Sequence, residues 1–292
     1  MRGPLAAPVV RSARFREPAD SPRRPTYARS MRGVRGGIGP VAGSALAALA
    51  MVTAAHLAAQ LRGAWAVADA TQVMLMPLLL VVLLAGSAPP RGRLVGLFAL
   101  GLVLSWAGDA VPRFLEGQGQ FLAMLGSFLL AQLVYAIALW PLRSDSLLAG
   151  VGARAGSLRG DRAPGEDGAA GGPRRGAVLR RAAMVPYAVA GSAIVVLCAP
   201  VAGALLPALG LYAAAICTMA VLATGLGRRG VIGGALFVVS DALIALDTFD
   251  VITLPAHAFW VMLTYVAAQL LLVLGVLGRE GPRCGAGARV EG

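Results

Sequence analysis

Apolar residues run through the chain in eight blocks that are separated by polar spacers. The blocks are 38–60, 67–86, 94–111, 120–140, 182–199, 204–226, 231–249 and 257–278. Each is close to the roughly 20 residues that an α-helix needs to cross a bilayer. Glycine and proline are plentiful inside the blocks, as is common in transmembrane helices. The pattern predicts an all-α, polytopic membrane protein with eight transmembrane helices.

Two longer stretches of the chain lack this apolar pattern. Residues 1–37 are rich in Arg and Pro, and residues 141–181 are rich in Gly, Arg and Asp. Such compositions cannot bury enough apolar surface to fold, so we expect a disordered N-terminal tail and a disordered cytoplasmic linker. Met31 is an alternative start of the protein, and in that case residues 1–30 would not belong to it.

The predicted helices form one membrane domain in two parts. Residues 38–140 contain helices 1–4, residues 182–278 contain helices 5–8, and residues 279–292 form a C-terminal tail. The chain is 58% hydrophobic and 14% charged, whereas roughly 25% of the residues of a soluble domain are charged. Its three cysteines have neither metal-site nor disulfide spacing, so we expect no metal and no cofactor.

The net charge of +12 has an explanation in topology. All 26 basic residues are arginine, and with a cytoplasmic N-terminus the outer spacers contain only Arg62 and Arg113. The positive-inside rule expects this asymmetry of eight helices with both termini inside. We therefore expect a multi-pass protein of a bacterial plasma membrane, surrounded by membrane lipids, with no nucleic-acid partner.

The two halves of the chain share spaced markers. The matching pairs are Pro77 and Pro207, Asp109 and Asp241, and Gln132 and Gln269, which are 130, 132 and 137 residues apart. The near-constant offsets predict a duplicated four-helix unit, with parallel repeats related by an axis along the membrane normal. The alternative is chance similarity between two apolar sequences. A duplication would bring the two aspartates to facing positions about the axis.

Carboxylates inside the apolar blocks are the main functional signal. Asp109 lies near the outer end of the third block, and Asp241 lies in the middle of the seventh. An ionised carboxylate in hydrocarbon costs several kcal/mol, so such residues usually line a protein interior or a wet cavity. Asp69 lies near the start of the second block, where an interfacial loop charge is the simpler interpretation.

Other polar side chains are expected at depths from the outer third of the bilayer to just below its middle. They are Gln72, Gln132, Tyr135, Ser240, Asp247, Tyr265 and Gln269. Ser240 and Asp247 share one helix face, and Asp241 is turned by about 100° from Ser240. We expect these groups to line one cavity that opens towards the outer half of the bilayer. The simpler alternative for Gln132 and Gln269 is hydrogen bonding between helices.

An ordered set of short motifs resembles a known family. The motifs are GDAVPRF (108–114), FLLAQLVY (128–135), LLPALGLYAAAI (205–216), LFVVSDALIALDTF (236–249) and VMLTYVAAQLL (261–271). They resemble the YhhN-type lysoplasmalogenase family of eight-helix membrane proteins, over roughly residues 67–278. The resemblance implies hydrolysis of the vinyl-ether bond of lysoplasmalogens, with release of a fatty aldehyde and a glycerophospho-alcohol.

The resemblance also implies a set of site residues. The matching positions are Pro77, Gly108, Asp109, Tyr135, Pro207, Tyr212, Ser240, Asp241, Asp247, Tyr265 and Gln269. The family pattern commonly has Lys where this chain has Gln72, and His where it has Gln132. The implied substrate is a lysophospholipid or another ether lipid, and the remaining polar positions would bind it.

Vinyl-ether hydrolysis suits two carboxyl groups with different roles. One must carry a proton for the alkene carbon, and the other must be ionised to stabilise the cation or activate water, as in glycosidases. Our hypothesis makes Asp241 the general acid and Asp109 the base, with Asp247 as a substitute. The glutamines and tyrosines would orient the ether oxygen and the head group.

Two other function classes remain open at this point. Mid-membrane acids and parallel repeats are also features of small-molecule and proton-coupled transporters. A lipid-binding member of the family without catalysis is the third alternative. The sequence gives no indication of an oligomeric state.

Overall fold

The computed structural model describes residues 39–149 and 182–280, in which every regular element is helical. The α-helices are α1 (Pro40–Leu61), α2 (Trp65–Gly86), α3 (Arg93–Ala110), α4 (Gly117–Leu139), α5 (Val185–Ala202), α6 (Leu206–Ala223), α7 (Arg228–Thr248) and α8 (His257–Glu280). The all-α prediction is confirmed for this part of the chain. The predicted tail 1–37 with Met31, most of the predicted linker and nearly all of the C-terminal tail lie outside the described residues.

Within residues 39–149 and 182–280, seven helical stretches are long and apolar enough to cross a membrane. They are Pro40–Leu61, Trp65–Gly86, Arg93–Phe114, Gly117–Leu142, Val185–Leu226, Arg228–Thr248 and His257–Glu280. The fifth stretch is 42 residues long and contains both α5 and α6. These lengths and compositions are those of an integral membrane protein with several spans.

Helices α5 and α6 form an antiparallel pair. The turn between them includes Gly203, whose φ of +50° lies in the left-handed region that favours glycine. The Cys217 thiol donates a hydrogen bond to the carbonyl oxygen of Tyr187 at 3.2 Å. A Cβ atom at Gly191 would lie 2.7 Å from the same sulfur. These contacts join the beginning of α5 to the later part of α6, so the chain reverses direction at Gly203.

Prolines lie both in the first turns of helices and inside helices. Pro40, Pro186 and Pro207 lie in the first turns of α1, α5 and α6, where a missing N–H breaks no helical hydrogen bond. Pro77 instead lies inside α2, as transmembrane helices tolerate. Pro77 and Pro207 therefore hold different positions in their helices, and this pair does not support the predicted duplication.

The helix packing is compatible with the duplication in another respect. If α1–α4 correspond to α5–α8, then the contact of α4 with α6 should have a counterpart between α8 and α2. Both pairs pack against each other. Helix α8 also contacts α1, α3 and α7, and Leu272, Val273 and Val276 on it are completely buried. The duplication stays a prediction.

The first residues of the predicted linker are ordered. The Leu147 backbone N–H donates to the Thr224 hydroxyl at 2.9 Å. Arg279 forms an ion pair with Asp145 at 3.0 Å and donates to the carbonyl oxygen of Gly225. Because this segment supplies partners for Thr224 at the end of α6 and for Arg279 at the end of α8, the described residues up to 149 belong to the folded domain.

The candidate site lies at the end of the bundle opposite the contact of Leu147 with Thr224. Helices α2, α4 and α8 begin at this end, whereas α3 and α7 finish there. Asp69 and Gln72 lie in the first two turns of α2, and Asp109 lies in the last turn of α3. Asp241 lies about two turns before the end of α7, and Tyr265 lies about two turns after the start of α8. Alternating helix directions thus gather groups that are far apart in the chain.

Candidate functional site

A polar cavity of about 480 Å³ lies at this end of the bundle. It is lined by Asp69, Gln72, Gly108, Asp109, Pro112, Arg113, Gln120, Met124, Phe128, Asp241, Ile244, Val261 and Tyr265. The lining comes from α2, α3, α4, α7 and α8 and from the short 3₁₀ helix Val111–Phe114 that follows α3. Four residues predicted from the sequence therefore share one cavity: Gln72, Asp109, Asp241 and Tyr265.

Asp109 is held through both carboxyl oxygens. The Gln72 side-chain N–H₂ donates to Oδ1 at 3.1 Å, and the Tyr265 hydroxyl donates to Oδ2 at 3.1 Å. The side chain comes from the last turn of α3 and is only 7% exposed. Because its partners come from α2 and α8, three helices fix the orientation of this carboxyl group.

Arg113 lies beside Asp109 and connects three polar groups. Its Nε donates to the backbone carbonyl of Asp109 at 3.0 Å, and its Nη2 donates to Gln72 Oε1 at 2.7 Å. Its Nη1 lies 2.5 Å from Asp69 Oδ1. Because a guanidinium can only donate, the contact with Gln72 turns the amide oxygen towards Arg113 and the amide N–H₂ towards Asp109.

Asp241 has fewer partners. It lies in α7, is half-buried, and accepts a hydrogen bond on Oδ2 from the hydroxyl of Tyr212 in α6. Among the described residues, no hydrogen bond is made to Oδ1 of Asp241. This oxygen belongs to a side chain that lines the polar cavity, so it is available to a molecule that binds there.

A narrow apolar crevice of about 50 Å³ lies next to the polar cavity. It is lined by Phe121, Met124, Leu125, Phe128, Ile194, Leu209, Tyr212, Ala213, Ile216, Val238, Asp241, Ile244, Ala245, Thr248 and Phe249. Four residues line both spaces: Met124, Phe128, Asp241 and Ile244. Asp241 therefore lies on the boundary between a polar and an apolar space.

A buried hydrogen-bond network supports the Asp109 side of the cavity. The Tyr135 hydroxyl donates to Gln269 Oε1 at 3.0 Å, and Gln269 Nε2 donates to the Ser105 hydroxyl at 3.1 Å. All three residues are completely buried. They connect α4, α8 and α3 one turn or more below the cavity, so Tyr135 and Gln269 are placed behind its lining.

Aromatic packing fixes the position of Tyr265. The rings of Phe128 and Phe237 meet the Tyr265 ring edge-on, with centroid distances of 5.8 and 5.7 Å. Edge-to-face arrangements of this kind are favourable. The hydroxyl that donates to Asp109 is thereby held in one direction.

Besides Tyr135 and Gln269, three more predicted residues lie outside the lining of both spaces. The Ser240 hydroxyl donates to the carbonyl oxygen of Val261 at 3.1 Å, and Asp247 Oδ1 accepts a hydrogen bond from Thr253 at 2.7 Å. Gln132 is completely buried close to the Tyr212 hydroxyl. Within the described part of the chain, its side-chain oxygen and nitrogen make no hydrogen bond.

Sequence reasoning did not name Arg113 as a site residue, and for Asp69 it favoured an interfacial loop charge over a place in the cavity. A usable signal was present, since Arg113 follows Asp109 by four residues and Gln72 follows Asp69 by three. On a helix, such spacings bring two side chains to one face. Ser105 was missed as well, and it likewise precedes Asp109 by four residues.

The arrangement can perform acid–base chemistry on an amphipathic molecule. It offers one firmly held carboxyl group, one carboxyl group with a free oxygen, and adjoining polar and apolar spaces. Among the described residues, no group of three or more His, Cys, Asp or Glu side chains is placed to hold a metal ion.

Comparison with known proteins gives two matches. A family model described as "YhhN family" matches residues 67–276. A stretch of 56 residues is 50% identical to the protein named "Lysoplasmalogenase TMEM86B" from Rattus norvegicus, and it covers 19% of this chain and 24% of that protein. The chain thus matches about a quarter of the length of this curated relative. No solved structure matches the chain.

Proposed function

The chain belongs to the YhhN family, and we propose that it is a membrane-embedded hydrolase that cleaves the vinyl-ether bond of lysoplasmalogen-type lipids. The family assignment confirms the prediction made from the ordered motifs. The local identity to a protein named a lysoplasmalogenase supports the proposed reaction. The proposed substrate has one alkenyl chain and a glycerophospho head group, and it would come from the membrane.

The boundary position of Asp241 is the observation that carries the proposal. In a lysoplasmalogen, the vinyl-ether bond is the point at which the apolar chain joins the polar glycerol. A lipid with the first carbons of its chain in the crevice and its head in the polar cavity would present this bond to Asp241, which lines both spaces. The free Oδ1 would then face the atoms that react.

The proposed reaction begins with proton transfer from Asp241 to the alkene carbon that does not bear oxygen. The alkene electron pair forms the new C–H bond, and an oxocarbenium ion results. Water then bonds to the carbon that bears oxygen and gives a proton to Asp109. The hemiacetal breaks its C–O bond to the glycerol, whose oxygen takes the hemiacetal proton, and a fatty aldehyde leaves. A proton returns from Asp109 to Asp241 through solvent.

The surroundings of Asp109 suit the role of base and cation stabiliser. Gln72 and Tyr265 each donate to one of its oxygens, so it can remain an acceptor while water is positioned. Such positioned acids and bases typically contribute about 10²- to 10⁴-fold in rate. We propose positioning roles for Tyr212 on Asp241, and for Tyr135 and Gln269 behind Tyr265.

The other predicted site residues have different proposed roles. Gln132 would act through Tyr212, because it lies close to the Tyr212 hydroxyl and away from the cavity. Ser240 and Asp247 make contacts outside the cavity, and we propose no substrate contact for either. Asp247 therefore loses its place as a substitute acid in the mechanism.

We also propose eight membrane crossings with both termini in the cytoplasm. The α5–α6 stretch supports this count, because 42 helical residues would span roughly 63 Å at 1.5 Å per residue, about twice the hydrocarbon core. In intact cells, a membrane-impermeant thiol reagent should label Arg62→Cys and leave Arg228→Cys unlabelled, in a background without Cys284. Labelling in the reverse pattern would overturn the orientation.

Aldehyde release by detergent-purified protein tests the proposed reaction. We expect release from lysoplasmenylethanolamine and none from its saturated 1-alkyl analogue, since only the vinyl ether can be protonated at carbon. Asp241→Asn should lose the activity. Asp250→Asn is the matched control, because Asp250 is exposed and its φ of +53° is tolerated by Asn.

A folded wild-type protein that releases no aldehyde would contradict the proposal. Uptake of the lipid or of a small solute into proteoliposomes, without aldehyde release, would instead favour the transporter class.

A further inference from the structure

The ion pair between Arg113 and Asp69 at the mouth of the polar cavity has no part in the proposed proton transfers. The Arg113 side chain is 25% exposed and the Asp69 side chain is 63% exposed. Both line the polar cavity, at the side away from the apolar crevice. An exposed ion pair usually contributes 0–1 kcal/mol to stability, so stability alone gives little reason for its position.

Arg113 has hydrogen-bonding capacity left for a ligand. Of its five N–H groups, Nε–H donates to Asp109, one on Nη2 donates to Gln72 and one on Nη1 faces Asp69. One N–H on each terminal nitrogen remains. Two such N–H groups form the planar fork that binds phosphate oxygens. The three existing contacts hold the guanidinium still, so little conformational entropy is lost when an anion binds.

We propose that Arg113 and Asp69 form a head-group site for a zwitterionic glycerophospholipid, with the phosphate on Arg113 and a primary ammonium on Asp69. This inference rests on the proposed function, because it places the lipid with its chain in the crevice. The ammonium would donate to Asp69 Oδ2, for which no hydrogen bond is recorded among the described residues. The head group thus adds two contacts with the ligand to the existing ion pair.

The charge of the cavity favours a zwitterion over an anion. Among the described residues that line it, Arg113 is the one cation, whereas Asp69, Asp109 and Asp241 are carboxyl groups. A phosphate without an ammonium would meet Arg113 but would also approach the Asp69 carboxylate, which repels it. A head group with neither charge would leave the ion pair as it is and gain nothing from it.

Non-cleavable ligands test the site independently of catalysis. Binding to purified protein would be measured for three 1-alkyl ethers with the same chain: the glycerophosphoethanolamine, the glycerophosphate and the glycerol. We expect the affinity to fall in that order, with about a 10- to 100-fold gap between first and last, as one charge-assisted contact is worth 1.5–3 kcal/mol. Arg113→Gln should remove this gap and leave the affinity for the glycerol ether unchanged.

Arg62→Gln is the matched control, because Arg62 lies in the spacer between α1 and α2, outside the cavity lining. It should keep the wild-type order of affinities. Free phosphoethanolamine should not displace the lipid at comparable concentration. Displacement would mean a site for soluble phosphates and would overturn the lipid assignment.

Asp69→Asn is a second test of the head-group site, and it remains informative if the Arg113 variants do not fold. Because it removes the repulsive carboxylate and the ammonium acceptor together, it should strengthen binding of the glycerophosphate and weaken binding of the glycerophosphoethanolamine, by several-fold each. Equal changes for both ligands, or none, would overturn the head-group site.

These outcomes separate the two proposals. If the ligands bind in the expected order but vinyl-ether lipids give no aldehyde, the proposed function fails and the head-group site stands. If aldehyde is released but Arg113→Gln weakens all three ligands equally, Arg113 only positions Gln72 and Asp109, and the head-group site is wrong.

Discussion

The two carboxyl groups of the cavity have opposite kinds of surroundings. Asp109 is almost completely buried and accepts hydrogen bonds on both oxygens, from Gln72 and Tyr265. Asp241 is half-buried and receives one hydrogen bond, from Tyr212. Asp109 lines the polar cavity alone, whereas Asp241 also lines the apolar crevice.

This difference explains how one cavity could assign two roles to the same residue type. A general acid must reach the reacting carbon, so it needs an oxygen that no protein group occupies. A stabilising base must stay in one place while charge develops nearby, so it benefits from fixed donors. In the proposed mechanism, the acid therefore lies at the apolar boundary and the base lies in the polar cavity.

The largest expected effect comes from removing the acid. Asp241→Asn should lower kcat by about 10³-fold or more, and Asp109→Asn by about 10²-fold, because an asparagine at 109 can still accept hydrogen bonds but cannot take the water proton. In D₂O, the wild-type aldehyde should carry one deuterium on the carbon next to the carbonyl. Kinetics of aldehyde release and mass spectrometry of the product give both readouts.

Equal losses of kcat in Asp241→Asn and Asp109→Asn would contradict the two different roles, since they would mean that the carboxyl groups act as one unit. A larger loss for Asp109→Asn would reverse the roles. Asp250→Asn serves as the control for a charge lost near the end of α7.

The next effect concerns the two tyrosines. Tyr212→Phe should cost about 10- to 100-fold in kcat, because its hydrogen bond stabilises the carboxylate that forms when Asp241 gives its proton to the alkene. A hydrogen bond to a charged group is worth about 1.5–3 kcal/mol, and Asp241 has no second partner among the described residues. Tyr265→Phe should cost less, since Gln72 still donates to Asp109. Steady-state kinetics with one substrate at saturation measures both. A greater loss of kcat in Tyr265→Phe than in Tyr212→Phe would contradict the inference that Asp241 depends more on its tyrosine than Asp109 does.

The third prediction concerns the buried hydrogen-bond network of Tyr135, Gln269 and Ser105 that lies behind Asp109. A Cβ atom at Gly101 would lie 2.2 Å from the Tyr135 ring, so Gly101→Ala should displace that ring from Gln269. Overpacking of this kind costs about 1–3 kcal/mol. Gly96→Ala in the same helix is the control, because its Cβ meets nothing within 4 Å. Thermal unfolding in detergent should show a lower Tm for the first variant alone.

The helices were predictable because their signal is physical and local. Unpaired backbone N–H and C=O groups are unfavourable in hydrocarbon, so an apolar run of about 20 residues forms a helix, in which these groups pair with each other. The predicted blocks and the observed helices differ by a few residues at their ends. For example, the block 182–199 corresponds to Val185–Ala202. The ends shift because prolines, glycine turns and contacts such as that of Leu147 with Thr224 decide them.

The site was predictable only in part. Asp109 and Asp241 were found because an acid in an apolar run needs an explanation, and helix direction brought them to one end. Arg113 was missed because it lies just past α3, where a charge usually faces solvent. Its role depends on a 3₁₀ turn that folds the side chain back onto Gln72. The spacing of four residues from Asp109 predicts a shared helix face for Arg113, but it does not predict the contact with Gln72.

The smallest expected effect concerns the apolar crevice beside Asp241. Ala213 lines the crevice and is 7% exposed, so Ala213→Leu should fill part of the space for the alkenyl chain. Each buried methylene is worth about 0.8 kcal/mol, or roughly four-fold in affinity. We expect a several-fold rise in KM for a long-chain substrate, little change for a short-chain one, and unchanged kcat for both.

Ala214→Leu is the control for this prediction, because the neighbouring side chain is exposed on the outer face of α6 and is turned about 100° from Ala213. KM values measured across a series of chain lengths would decide the matter. If both variants behave like the wild type at every length, the chain does not enter the crevice. Asp241 would then lose its position beside the vinyl-ether bond, and the distinction between the two carboxyl groups would rest on their hydrogen bonds alone.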